Sequence, residues 1–290
     1  MSSADLPPGL FDFAGKHLRH VRDLTSTEWA DYRRAVYSLG DFQSARMLLP
    51  MVQASLTDFL AAMQSAEGTV TKSGLLREGA RQIDFETNRR FLSFLSAVRT
   101  YLDHTETRLK RQYGDGEPFD SFKQACKNAY DGSFAYRFLY KLRDYSQHCG
   151  LPIGHVVVTA SRSTPAGPDL KRVVLGFDAG DLLARGGDTW GAVVRRELAA
   201  MPTILDIEPI LEEVALHLQR IDEATCTAER PFLTEAARPV IDLLSPIARS
   251  GGAPVAGILH PTEKGADVEL IQAPSEALRW IGLEYLSIEV

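Results

Sequence analysis

Apolar residues recur every three or four positions through most of the first 150 residues, the spacing of one face of a helix. The period is clearest at Phe91, Leu95, Val98, Leu102, Thr105 and Leu109, which predicts a helix over 81–113 with a single buried seam. A second run, from Phe42 through Leu49, Val52, Phe59 and Met63, predicts helix over 41–66, kinked or split by Pro50. Thr25 and Glu28 have the spacing of a capping box and mark a helix start. Shorter helices are predicted over 119–131 and 133–149, the second stopped by Gly150 and Pro152. Residues 1–15 read as an irregular arm and 67–74 as a polar loop.

The period changes after Leu151. His155–Ala160 and 171–177 are rich in β-branched residues and read as paired strands across a turn at 161–169. Helices are predicted over 189–201, 207–224 and 234–248, strands over 255–260 and 267–272, and a last helix over 275–286. The expected fold class is therefore α+β. An all-α helical bundle over 1–150 is followed by a smaller α+β region over 151–290.

Composition narrows the functional classes. The 290 residues are 44% hydrophobic and 24% charged, as in ordinary globular proteins. No apolar run is long enough to cross a bilayer, so no membrane partner is expected. The opening residues lack the basic-then-apolar pattern of a secretory signal. Cys126, Cys149 and Cys226 are scattered and odd in number, which argues against a disulfide framework and for a reducing, cytoplasmic location. The net charge of −6 is unevenly spread, with +2 over residues 1–150 and −8 over 151–290. A polyanion partner is thus expected on the first half, although such imbalance also arises from ordinary solvated faces.

The segment 134–149 carries the most chemistry. Phe134, Phe138, Leu142, Tyr145 and Cys149 fall on one helix face, and Arg137, Lys141, Asp144 and His148 share another. Arg143 and Gln147 lie beside that polar stripe. His148 sits in the last turn, where the helix dipole favours an imidazolium, and Asp144 is placed to hydrogen-bond one ring nitrogen. A histidine so placed can take a proton from a ribose 2′-hydroxyl or give one to a leaving oxygen. Arg143 is a planar, permanent cation suited to charge developing on phosphorus. Arg137, Lys141 and Gln147 are candidate RNA contacts, and Tyr140 a candidate ring for base stacking. Arg143, Asp144 and His148 equally read as an ion-pair cluster that only caps and solubilises a helix end.

Arg143-Asp144-Tyr145-Ser146-Gln147-His148 resembles the R-x4-H motif of the HEPN-domain family, set here at the end of the last long helix of a bundle over roughly 40–150. Residues 151–290 resemble no family in the same way. The resemblance implies a metal-independent endoribonuclease that cleaves by 2′-hydroxyl transesterification. Arg143 and His148 would be its catalytic pair and Asp144 the supporting polar residue. It implies RNA as substrate, a homodimer with two motifs in one composite site, a toxin, stress or defence role, and a possible regulatory protein partner. Some toxin members carry a modified tyrosine two residues after the histidine; Gly150 stands there in this chain. The alternative is a non-catalytic nucleotide- or RNA-binding protein, or a dimerising scaffold.

Other signals are weaker. Asp103, His104 and Glu106 read as a surface ion-pair set or as part of the same cleft, with Arg99 and Arg108 as candidate backbone contacts. His17 and His20 lack a third ligand, and no metal or cofactor is expected. No phosphate-binding glycine loop or G-x-S-x-G is present.

Overall fold

The computed structural model describes residues 6–14, 17–73, 77–162, 169–262 and 265–286. Helices predominate among them, with two small antiparallel sheets, so the fold class is α+β. The chain forms two compact units: residues 1–47 together with 227–290, and residues 48–226. Residue 150, where the change of period suggests a boundary, falls inside the second unit. No helix among the described residues is long and apolar enough to cross a membrane.

The first unit is built on a sheet that joins the two ends of the chain. β1 (Gly9–Ala14) pairs with β2 (His17–Asp23) on one side and β6 (Pro254–Thr262) on the other. β7 (Gly265–Ile271) completes the order β2-β1-β6-β7. Residues 1–5 and 15 of the expected irregular arm lie outside the described residues, but 9–14 are a strand, so the described part of the first residues is not all-α. Its partner β6 lies some 240 residues away, so no local pattern announces the pairing. Leu10 and Phe11 are buried, and the carboxylate of Asp12 accepts from Arg19 at 2.8 Å and from the Ala253 N–H at 2.9 Å. In β2, His17 and His20 stand an odd number of residues apart and point to opposite faces, which separates them as metal ligands. His20 instead lies 3.0 Å from Asp23.

The α1 helix (Ser26–Arg46) begins at the expected capping box, with Thr25 as N-cap. It buries Trp29, Tyr32, Leu39 and Phe42, and the Tyr32 hydroxyl donates to the Ile271 carbonyl at 2.7 Å. It packs on α9 (Arg238–Ala248) and α10 (Ser275–Trp280). The expected last helix is split, because Gly282 takes φ 86° and only a short 3-10 turn, Glu284–Leu286, follows.

In the second unit, α2 (Leu48–Ser73) starts after a break at Met47, which leaves Pro50 in the first turn where its missing N–H is harmless. It continues through 67–73 of the expected loop, a single interior glycine costing a helix only about 1 kcal/mol. The last residue of that loop, 74, lies outside the described residues. The α3 helix (Arg77–Tyr113) buries all six residues of the predicted seam. Then follow α4 (Glu117–Gly132), α5 (Phe134–His148), β3 (His155–Arg162) and β4 (Asp169–Asp178). The two strands pair with each other as expected, antiparallel with Val157 opposite Val174; the core of the expected turn, 163–168, lies outside the described residues.

The sequence pattern misses α6 (Ala179–Gly186) and the three-residue β5 (Ile204–Asp206), which pairs with β4. Both are too short to show a period. The helix expected over 189–201 is a 3-10 turn, Gly187–Trp190, followed by α7 (Gly191–Ala200). The α8 helix (Ile207–Ala236) continues past its expected end, so the break before α9 falls at Ala237.

The capping box at α1 makes a pH-dependent prediction. Hydrogen bonds from Arg22 and then from the Thr25 N–H and hydroxyl lower the Glu28 carboxyl from 4.5 to about 2. Its folded-state value lies below the unfolded one, so this stabilisation is full above about 4.5 and disappears as pH falls through about 2. Urea unfolding of wild type and Glu28→Gln is expected to show a gap at neutral pH that closes toward the acid end. A gap that does not change with pH would contradict the assignment.

Candidate functional site

The site is organised by α5, and its ends are set by sequence. Ser133 caps it, its hydroxyl accepting the Tyr136 N–H at 3.0 Å and donating to Glu213 at 2.5 Å. At the other end the Cys149 N–H closes the last turn onto the Tyr145 carbonyl at 2.8 Å, with Gly150 and Pro152 just beyond. Phe138, Leu142 and Tyr145 are buried as expected, whereas Phe134 and Cys149 are only partly so. Phe138 and Tyr145 stack on the Trp190 ring at 5.7 and 5.3 Å between centroids. This anchoring fixes the rotation of α5, and so decides which polar residues are left outside.

The polar stripe does not behave as one surface. Arg137 is 9% exposed. Its Nη2 donates to Glu197 Oε1 at 2.5 Å and its Nε to Oε2 at 3.2 Å. Its Nη1 donates to the carbonyls of Tyr130 and Asp131. Arg137 thus ties α5 to α7 and to the end of α4. All three guanidinium nitrogens are engaged within the protein, which gives Arg137 a structural role and leaves no nitrogen unpartnered for the expected RNA contact.

Farther along, the groups are uncommitted. The Arg143 side chain is one-third exposed, and Asp144 Oδ1 lies at a long 3.5 Å from its Nη1. Gln147 and His148 are exposed. No hydrogen bond joins Asp144 to His148 among the described residues. Asp144 therefore stands beside Arg143, and the expected orienting bond to the imidazole is not formed. Five residues on an ideal helix place Arg143 and His148 about 140° apart, so one copy does not aim both at a single point.

Tyr140 and Lys141 face elsewhere. They line a cavity of about 370 Å³ between α3, α4 and α5, into which Arg99, Lys123, Lys127 and Tyr130 also project. Arg143, Asp144, Gln147 and His148 do not line it. The cavity's two carboxylates are paired, Asp103 with Arg99 at 2.7 Å and Glu106 with Lys123 at 2.8 Å. The acidic pair first read as a surface set is thus also cavity wall, while His104 is exposed. The Arg99 Nη1 donates to the Tyr140 hydroxyl at 2.7 Å, and the guanidinium carbon lies 5.2 Å from that ring's centre. Burial pushes the Cys126 thiol up to about 11, which keeps it protonated and a poor nucleophile at neutral pH. Lys123 and Lys127 were missed from sequence, although their i,i+4 spacing on α4 puts both on one face.

No family model, curated protein or solved structure matches this chain.

The contrast between the two arginines is testable by stability. Arg137→Met leaves Glu197 partly buried and unpaired, and is expected to cost about 3 kcal/mol in urea unfolding. The double substitution Arg137→Met/Glu197→Leu should recover much of that loss. Arg143→Ala, on the surface, should move stability by less than about 0.5 kcal/mol. A tolerant Arg137 would return it to the list of free cations.

Proposed function

We propose that this chain is a metal-independent endoribonuclease of HEPN type, acting through the exposed end of α5. The observation that carries the reading is that Arg143 and His148 are left uncommitted by the fold. Arg143 has one long contact and His148 none among the described residues, while Arg137, on the same helix, is fully engaged. A permanent cation and an accessible imidazole beside Gln147 are the groups that phosphodiester transesterification requires.

In this mechanism His148 removes the proton of a ribose 2′-hydroxyl. The freed oxygen forms a bond to phosphorus as the bond to the departing 5′-oxygen breaks. That oxygen takes up a proton from water or from the His148 imidazolium just formed, leaving a 2′,3′-cyclic phosphate and a 5′-hydroxyl end. Arg143 balances the extra negative charge on the non-bridging oxygens in the transition state. Asp144, next to Arg143, acts on the arginine rather than on the imidazole. The 140° separation favours a composite site, with Arg143 of one copy facing His148 of the other in a homodimer. The second reading, a non-catalytic RNA-binding or scaffold protein, draws its support from the cavity between α3, α4 and α5, which is set apart from this pair.

Cleavage of labelled mixed-sequence RNA in excess EDTA separates the two. Wild type is expected to cut, and Arg143→Ala and His148→Ala each to lose about 10²-fold or more. Equal cutting by all three would place the activity elsewhere. Absence of cutting by wild type would favour the non-catalytic reading.

A further inference from the structure

The cavity between α3, α4 and α5 has the features of a discrete small-molecule site. Its volume of about 370 Å³ lies at the lower end of the range of ligand pockets. Its floor is apolar, with Phe122 buried beneath it and the Tyr130 and Tyr140 rings set edge to face, 6.1 Å apart at 89°. Both carboxylates in the wall are already neutralised by Arg99 and Lys123. Lys127 and Lys141 remain, with no acidic partner among the described residues. The Tyr140 hydroxyl accepts from Arg99, so its own O–H stays available to donate.

Two uncompensated ammonium groups match the charge of a phosphomonoester, about −1.5 to −2 at neutral pH. The aromatic edge and apolar floor match a flat ring. The cavity opens past Arg99, Asp103 and Glu106 onto a shallower groove that carries Lys110 and Arg111, but its own volume of about 370 Å³ fits a single such unit rather than a strand of RNA. We infer that this cavity binds a small phosphorylated ring compound of mononucleotide size, its phosphate held by Lys127 and Lys141 and its ring placed against Tyr130 and Tyr140. The site is independent of Arg143 and His148, which do not line the cavity.

Calorimetric titration of the full chain with the four nucleoside 5′-monophosphates tests this. At least one is expected to bind with a dissociation constant below about 1 mM. The corresponding nucleoside, ribose 5-phosphate and inorganic phosphate should each bind at least about tenfold more weakly, having lost either the charge-assisted contacts or the ring. Lys127→Ala/Lys141→Ala should weaken binding about tenfold or more, and Tyr140→Phe by a smaller factor. His148→Ala should bind like wild type even if it no longer cuts RNA, so the two assignments fail separately. Inorganic phosphate binding as tightly as a monophosphate would overturn the inference. So would titration without saturation, or binding unchanged by the double lysine substitution. A single-stranded RNA that binds where no monophosphate does would make the cavity part of an RNA track, and would also overturn it.

Discussion

The stacking of Phe138 and Tyr145 on Trp190 is the contact on which the arrangement of the second unit turns. Trp190 is buried, and its indole N–H donates to the Leu182 carbonyl at 2.8 Å, so the ring has one position. Gly186 is required beside it, because a Cβ there would come within 2.2 Å of the indole nitrogen. Phe138 also meets Phe177 of β4 edge to face at 5.2 Å. With two rings of α5 held against one fixed indole, the helix has no freedom to roll. Its remaining residues are then sorted by angle alone: Arg137 toward α7, Tyr140 and Lys141 into the cavity, and Gln147 and His148 into solvent.

Desolvation explains why two arginines six residues apart on one helix have different fates. Burying a guanidinium is costly unless nearly all its donors find acceptors. Arg137 meets that condition with a carboxylate on two nitrogens and two carbonyls on the third. Arg143 stays at the surface, where its weak contact with Asp144 contributes little. A cation that the fold does not use remains available to a ligand. The same distinction divides the cavity wall, where Arg99 and Lys123 are engaged by Asp103 and Glu106 while Lys127 and Lys141 are not.

Much of the helical framework is legible in the sequence because helix signals are local. The seam from Phe91 to Leu109 is buried throughout, and Thr25 with Glu28 form the cap their spacing predicts. The end of α5 at His148 follows from Gly150 and Pro152. Where local signals compete with packing, the sequence reading fails. The polar stretch after Ala66 stays helical through Ser73, and α2 packs along α3. A single interior glycine is too small a penalty to end a helix that packs in this way.

Sequence by itself determined the α+β class, the course of α3 and α5, the pairing of β3 with β4, and the presence of Arg143 and His148 at a helix end. Those features depend on propensity, capping and periodicity, which act over a few residues. Tertiary structure alone decided that β1 joins β6 across almost the whole chain, and that residues 1–47 belong with 227–290. It also decided that Arg137 is structural and that four cations from three helices surround one cavity. These outcomes depend on which distant groups meet, and on the cost of leaving a charge unpaired once they do, neither of which is written in any local stretch of sequence.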